Sequence, residues 1–172
     1  MKVRRNLPWI LLAVTTAAAV AFAVLWLGAA RARDRADAEN RRRAEVVSVG
    51  TEFLSVLTNF KADTIDADVE RIRSYAVGDF ADQVDQFFGP DTVAALKRAQ
   101  AESVGRVREV FVQSLDASSA SVFGVVDEVI TNARSAPRSE TVRIDVELLD
   151  TTGGWKVSSV EILQSPGGGP LG

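Results

Sequence analysis

The chain has 172 residues, enough for one domain with a real core beyond an apolar N-terminal stretch. Its formal net charge of −3 is unevenly spread: residues 1–45 carry nine Lys or Arg against four Asp or Glu, and residues 46–172 carry eleven against nineteen. An acidic body without a basic cluster argues against a nucleic-acid partner, and the absence of both cysteine and histidine removes disulfides, thiol chemistry, thiolate metal sites and the side chain best suited to proton transfer near neutral pH.

Residues 1–6 form a basic tail with Lys2, Arg4 and Arg5. Residues 7–30 contain no charge. As a helix at ~1.5 Å per residue they would span ~36 Å, against a hydrocarbon core of ~30 Å, so the segment is expected to be a transmembrane helix. Trp9 and Trp26 stand near its ends, where amphipathic rings favour the headgroup level. Pro8 falls in the first turn, where a missing N–H costs little. A cleaved signal peptide is the competing reading, with Ala30-Arg31-Ala32 as an A-x-A pattern. The stretch exceeds the ~7–15 residues of a signal h-region, which favours an uncleaved signal anchor in contact with the lipid bilayer. Three basic residues precede the segment and Arg31, Arg33, Arg35, Arg41, Arg42 and Arg43 follow it. With the amino terminus so close, charge alone leaves the orientation nearly even.

Helix is expected to continue through residues 31–45, a charged juxtamembrane stretch, into the domain of residues 46–163. The run Arg41-Arg42-Arg43 reads as a solvated helix face or, alternatively, as a contact for anionic headgroups. Val46, Val49, Phe53, Leu54, Val56, Leu57 and Phe60 then follow the spacing of a helix with one buried face, with Gly50 as a weak point. Asp66 is expected to cap a helix reaching about Ala76 and ended by Gly78, and Asp79 to cap the next, with Asp82 three residues on. Gly89-Pro90 interrupts that element. Pro90 suits the start of a further helix to about Ser103, closed by Gly105, with Val93, Leu96 and Val104 on its buried side.

From Gly105 the period becomes two. Residues 106–115 and 121–131 are β-rich, and in residues 141–150 Val142, Ile144, Val146 and Leu148 face one side while Arg143, Asp145 and Glu147 face the other. Thr152-Gly153-Gly154 makes a hairpin connection. In the last strand Trp155 and Val157 share one parity and Val160 and Ile162 the other, which predicts a β-bulge at Ser158-Ser159. Residues 164–172, with two prolines and a glycine run, read as a disordered tail. Helices followed by strands indicate an α+β fold, with three helices packed on a curved four-stranded antiparallel sheet.

Leu57-Thr58-Asn59-Phe60, Asp66-Ala67-Asp68-Val69-Glu70-Arg71, Gly78-Asp79-Phe80-Ala81-Asp82 and Gly154-Trp155-Lys156-Val157-Ser158 occur in that order behind the anchor. The combination resembles the Mce-associated membrane proteins of actinobacteria, whose cone-shaped domain is similar to nuclear transport factor 2. The resemblance implies an accessory subunit of an Mce-type lipid import system, with Mce complex subunits as partners. It also implies a single-pass protein of the cytoplasmic membrane with the N-terminus inside and the C-terminal domain outside. Read by their own physics, Asp66 and Asp79 are caps, Gly78 is a helix stop, Phe80 is a core plug at a helix junction and Trp155 packs under the helices.

No catalytic, cofactor-binding or metal-binding residue is expected. Acid–base chemistry in a cone would need a tuned proton carrier aimed inward. Tyr75 is the only tyrosine, and Asp127-Glu128 is the one acidic pair inside an otherwise apolar strand. Adjacent strand residues face opposite sides, so at most one of that pair can enter a pocket. Three readings stand: a non-catalytic accessory subunit of an Mce-type importer, a membrane-anchored lipid-binding module, and a structural subunit of another envelope machine such as a conjugation or secretion system.

Overall fold

The computed structural model describes the backbone of residues 7–163, and the side chains of Trp26, Arg31 and residues 33–163. The basic tail at 1–6 and the tail at 164–172 lie outside the described residues, as do nearly all side chains of the apolar segment 7–30. Among the described residues no helix is long and apolar enough to cross a membrane.

The first helix, α1, covers Leu7–Thr58. The chain divides into two compact units, Met1–Arg42 and Arg43–Gly172. In the first unit the described side chains from residue 33 to 40 are exposed, as is Trp26.

The second unit is an α+β domain. After the C-terminal part of α1 come β1 (Phe60–Lys61), α2 (Ile65–Tyr75), α3 (Asp79–Phe87) and α4 (Pro90–Ala99). The strands β2 (Glu102–Leu115), β3 (Ser119–Asn132), β4 (Ser135–Thr151) and β5 (Gly154–Leu163) follow. All five strands form one antiparallel sheet in sequence order. The expected four-stranded meander therefore holds, with the two-residue β1 added beside Glu102 and Ser103.

One face of the sheet carries the core. Val122, Val126, Val146, Leu148 and Val157 are fully buried in one cluster with Val46, Phe53 and Leu54 of α1. The parity read for β4 is the observed one, with Ile144, Val146 and Leu148 buried and Arg143 and Glu147 exposed. Two glycines set how closely α1 approaches. A Cβ on Gly124 would lie 2.2 Å from Leu54 Cδ1, and one on Gly105 would lie 2.0 Å from Thr58 Oγ1. Helix side chains rest there directly on the sheet backbone.

Register curves the sheet. Glu147 pairs with Ser159 and Leu148 with Val157, so Ser158 is an extra residue, the bulge that the phase slip indicates. Two further irregularities fall on β2, at Arg108 and Gln113. The longer strand ends were not visible in the pattern. Residues 135–140 are all exposed and show no alternation, yet pair with β3 through Asn132↔Ser135 and Ile130↔Arg138. Pro137 is tolerated because β5 pairs only from Arg143 onward, which leaves this arm at an edge.

The helix termini differ from expectation in four places. Thr64, not Asp66, holds the N-cap position of α2. The Thr64 hydroxyl donates to Asp68 Oδ2 (2.7 Å), as does the Lys61 N–H (3.2 Å), which fixes the helix start one turn before Asp68. Asp66 sits in the first turn, where its carboxylate suits the helix dipole, and pairs with Lys97 at 2.6 Å. Likewise Asp79 is the first residue of α3 and Gly78 its N-cap, with φ of 58°. Gly78 does not stop α2, because Ala76 is already extended and Val77 N–H donates to the Val157 carbonyl at the sheet edge (2.8 Å). Finally, α4 ends at Ala99 rather than near Ser103: Gln100 adopts the left-handed conformation, with φ of 48°. Ser103, Val104 and Gly105 therefore belong to β2, and Val104 is half exposed on the outer face instead of buried under a helix.

Candidate functional site

Beyond the packed core, the same inner face of the sheet borders a cavity of about 820 Å³. Its floor is Ile130, Val142, Ile144, Val160 and Ile162 from β3, β4 and β5. Leu57 and Thr58 from the end of α1, Phe60 and Ile72 close one side. Phe80, Gln83, Val84, Gln86 and Phe87 of α3, with Phe88, Thr92 and Leu96, form the roof. The cavity exists because α3 and α4 are short and lie over the sheet without filling it. α3 buries only Phe80 and Val84, and α4 buries no residue fully.

Among the described residues one lining residue is charged: Glu128. The alternation of β3 sends it inward while Asp127 faces outward, bonded to the Thr141 hydroxyl at 2.8 Å and within 3.6 Å of Arg108. The pair thus separates by face as strand geometry requires. Ser103, itself 1% exposed, lies beside Glu128: its Oγ is within hydrogen-bond reach of both the Thr58 carbonyl (2.8 Å) and Glu128 Oε1, and its one proton serves one of these acceptors at a time. The other carboxylate oxygen of Glu128 has no protein donor among the described residues.

The remaining residues singled out by sequence are structural. Phe80 is buried and meets Phe53 edge-on, with centroids 5.7 Å apart; Trp155 is buried in the same cluster. Tyr75 lies 5.9 Å from Phe53, ring to ring, and its hydroxyl is 3.4 Å from Glu52. Its pKa is raised, first by burial and then by the negative charge of Glu52. Tyr75 does not line the cavity.

Ser103, Gln83, Gln86 and Thr92 are the site residues that the sequence reading missed. The signal available for the cavity's edge was Phe87-Phe88, two large rings immediately before Gly89-Pro90. Phe87 is 68% exposed at the cavity edge. A second, shallower cleft of about 570 Å³ lies between α2, α3 and α4. Its Asp66, Glu70, Asp85, Arg73 and Lys97 are all joined in surface ion pairs. Among the described residues no acidic group clusters as a metal site.

No family model matches the chain. Outer membrane protein Rv1973 of Mycobacterium tuberculosis strain H37Rv is 30% identical over 119 residues, which is 69% of this chain and 74% of that protein. Its counterpart in strain CDC 1551, outer membrane protein MT2024.1, matches to the same degree. Among solved structures, an IcmL-like type IV secretion system protein from Legionella pneumophila aligns with a TM-score of 0.61 at 13% identity, over 72% of this chain and 94% of that one. The Agrobacterium tumefaciens VirB8 protein aligns with a TM-score of 0.59 at 13% identity, over 73% and 94%. The domain thus has the α+β cone fold expected from its sequence.

Proposed function

The chain belongs to the family of the mycobacterial outer membrane protein Rv1973, and from that premise we propose that it is a non-catalytic accessory subunit of an Mce-type lipid importer in the actinobacterial envelope. The observation that carries the reading is the 30% identity to an envelope protein over 119 residues. The resemblance of the Asp66–Arg71, Gly78–Asp82 and Gly154–Ser158 segments to Mce-associated proteins supplies the narrower assignment.

The chemistry of the cavity supports a non-catalytic role. Among the described residues the cavity is lined by a single ionisable side chain, Glu128, and the chain contains no histidine or cysteine to exchange protons or attack a substrate. A lone carboxylate beside a serine hydroxyl offers no second acid or base to complete a proton transfer.

For location we propose the cytoplasmic membrane, with residues 7–30 as anchor and the cone outside. Outer-membrane spans are closed β-barrels, because backbone groups in hydrocarbon must all be paired. The described sheet is open, with β1 and β5 at its two edges and a core on one face. An uncharged stretch of this length suits a helical span. The secretion-protein fold of VirB8 favours a second reading, a scaffold in a conjugation or secretion machine.

The test is affinity purification of the tagged full chain from detergent-solubilised actinobacterial membranes. Recovery of Mce subunits supports the importer reading. Recovery of secretion components without them would move the assignment to the second reading, and recovery of neither defeats both.

A further inference from the structure

We infer that the cavity is a binding site for an uncharged apolar molecule bearing one hydroxyl group, which it donates to Glu128. The volume of about 820 Å³ falls in the range of ~300–1,000 Å³ usual for small-molecule sites. Leu57, Ile72, Phe88, Val142 and Val160 line it from five separate elements or junctions, so an apolar body is desolvated everywhere but at the entrance. Phe87 and Ile162, 68% and 59% exposed, belong to the same lining, which puts apolar surface at the entrance as well as inside.

Charge argues against an anionic ligand. Among the described residues no Lys or Arg lines the cavity, and its one charged residue is acidic. A fatty-acid carboxylate or a phosphate head would be desolvated without a counter-ion and would meet the like charge of Glu128. A hydroxyl meets the opposite situation. Glu128 is a strong acceptor, and its Oε1 shares the Ser103 hydroxyl with the Thr58 carbonyl. Its second oxygen has no protein donor among the described residues. Hydrogen bonds to an ionised acceptor are roughly twice as strong as neutral ones. Gln83, Gln86 and Thr92 on the roof add only neutral polar groups.

The inference does not depend on the importer assignment, and its test involves no partner protein. Full-length protein in detergent is equilibrated at pH 8 with radiolabelled 1-hexadecanol, palmitate or hexadecylamine and separated from free micelles by gel filtration. Val160→Trp, which fills the cavity, gives the baseline for micelle partitioning, and Ile162→Trp at the exposed edge is the second blocking variant should Val160→Trp melt early. The alcohol should be retained at one per chain and bind about tenfold more tightly than palmitate, a ratio set by one like-charge contact in a partly buried site. Glu128→Gln should bring the two to within about twofold by raising palmitate binding. Tightest binding of palmitate or of the amine, an unchanged ratio in Glu128→Gln, or alcohol retention no greater than in the blocked variants would each overturn the inference.

Discussion

The inner face of the sheet ends in two different ways. Toward the β4–β5 hairpin, Val122, Val146, Leu148 and Val157 are fully buried in the cluster that holds Phe53 and Leu54. Toward the other end, Ile130, Val142, Val160 and Ile162 border an open cavity. The apolar chemistry of the two ends is alike; what differs is the element laid over them. At the packed end α1 comes close because Gly50 and Gly124 carry no Cβ, and a Cβ on Gly50 would stand 3.1 Å from Val122 Cγ2. At the other end α1 has stopped at Thr58, and two short helices bridge the gap without filling it. Hollow and solid regions of one core thus follow from where the long helix ends, since Gly105 brings α1 equally close to the sheet at Thr58, beside the cavity.

The sharpest way to break this contrast is truncation at each end. Phe53→Ala should cost about 3–5 kcal/mol in denaturant unfolding, since it removes a fully buried ring together with its edge contact to Phe80. Next in size, Gly124→Val should cost about 1–3 kcal/mol by overpacking against Leu54. Combined with Leu54→Ala it should cost less than the sum of the two, because each change relieves the other. If Gly124→Val is neutral, close approach is not what makes the packed end solid. Asp68→Ala should cost about 1–3 kcal/mol, because the Thr64 hydroxyl and the Lys61 N–H lose their shared acceptor beneath the cavity-side helices. At the cavity edge, Ile162→Ala should change stability by no more than about 0.5 kcal/mol, as its side chain is already largely in water.

The smallest effect concerns Tyr75 at the margin of the packed end. Burial and then Glu52 raise its pKa above the ordinary phenol value. The unfolded chain therefore ionises first: this contribution to stability is whole below about pH 10 and is lost as pH rises through the folded value. Absorbance titration of this single tyrosine should show Glu52→Gln lowering the folded pKa part of the way, with burial holding the rest. A titration unchanged by Glu52→Gln would remove the carboxylate from the account.

What could be read from sequence divides along the same line. Strand parity in β4, the Ser158 bulge and the buried stripe of α1 were legible because each is a repeat with a fixed period. The inward turn of only one of Asp127 and Glu128 followed from the same alternation. Helix boundaries were not legible where tertiary contacts set them. Gln100 ends α4 in a left-handed conformation that its residue type does not announce, and Gly105 looked like a helix stop while serving as the close contact to Thr58. The cavity was hidden for a related reason. Val142 and Val160 carry the same hydrophobic signature as Val146 and Val157, and no periodicity reports whether the space above a residue is filled.

The proposed function rests on which side of the membrane the cone occupies. Alkaline phosphatase, active only outside the cytoplasm, and a fluorescent protein that matures only inside it can each be fused after residue 172 of the full chain. The account predicts an active phosphatase and a dark fluorescent fusion in intact cells. A bright fluorescent fusion with inactive phosphatase would put the cone in the cytoplasm and contradict it.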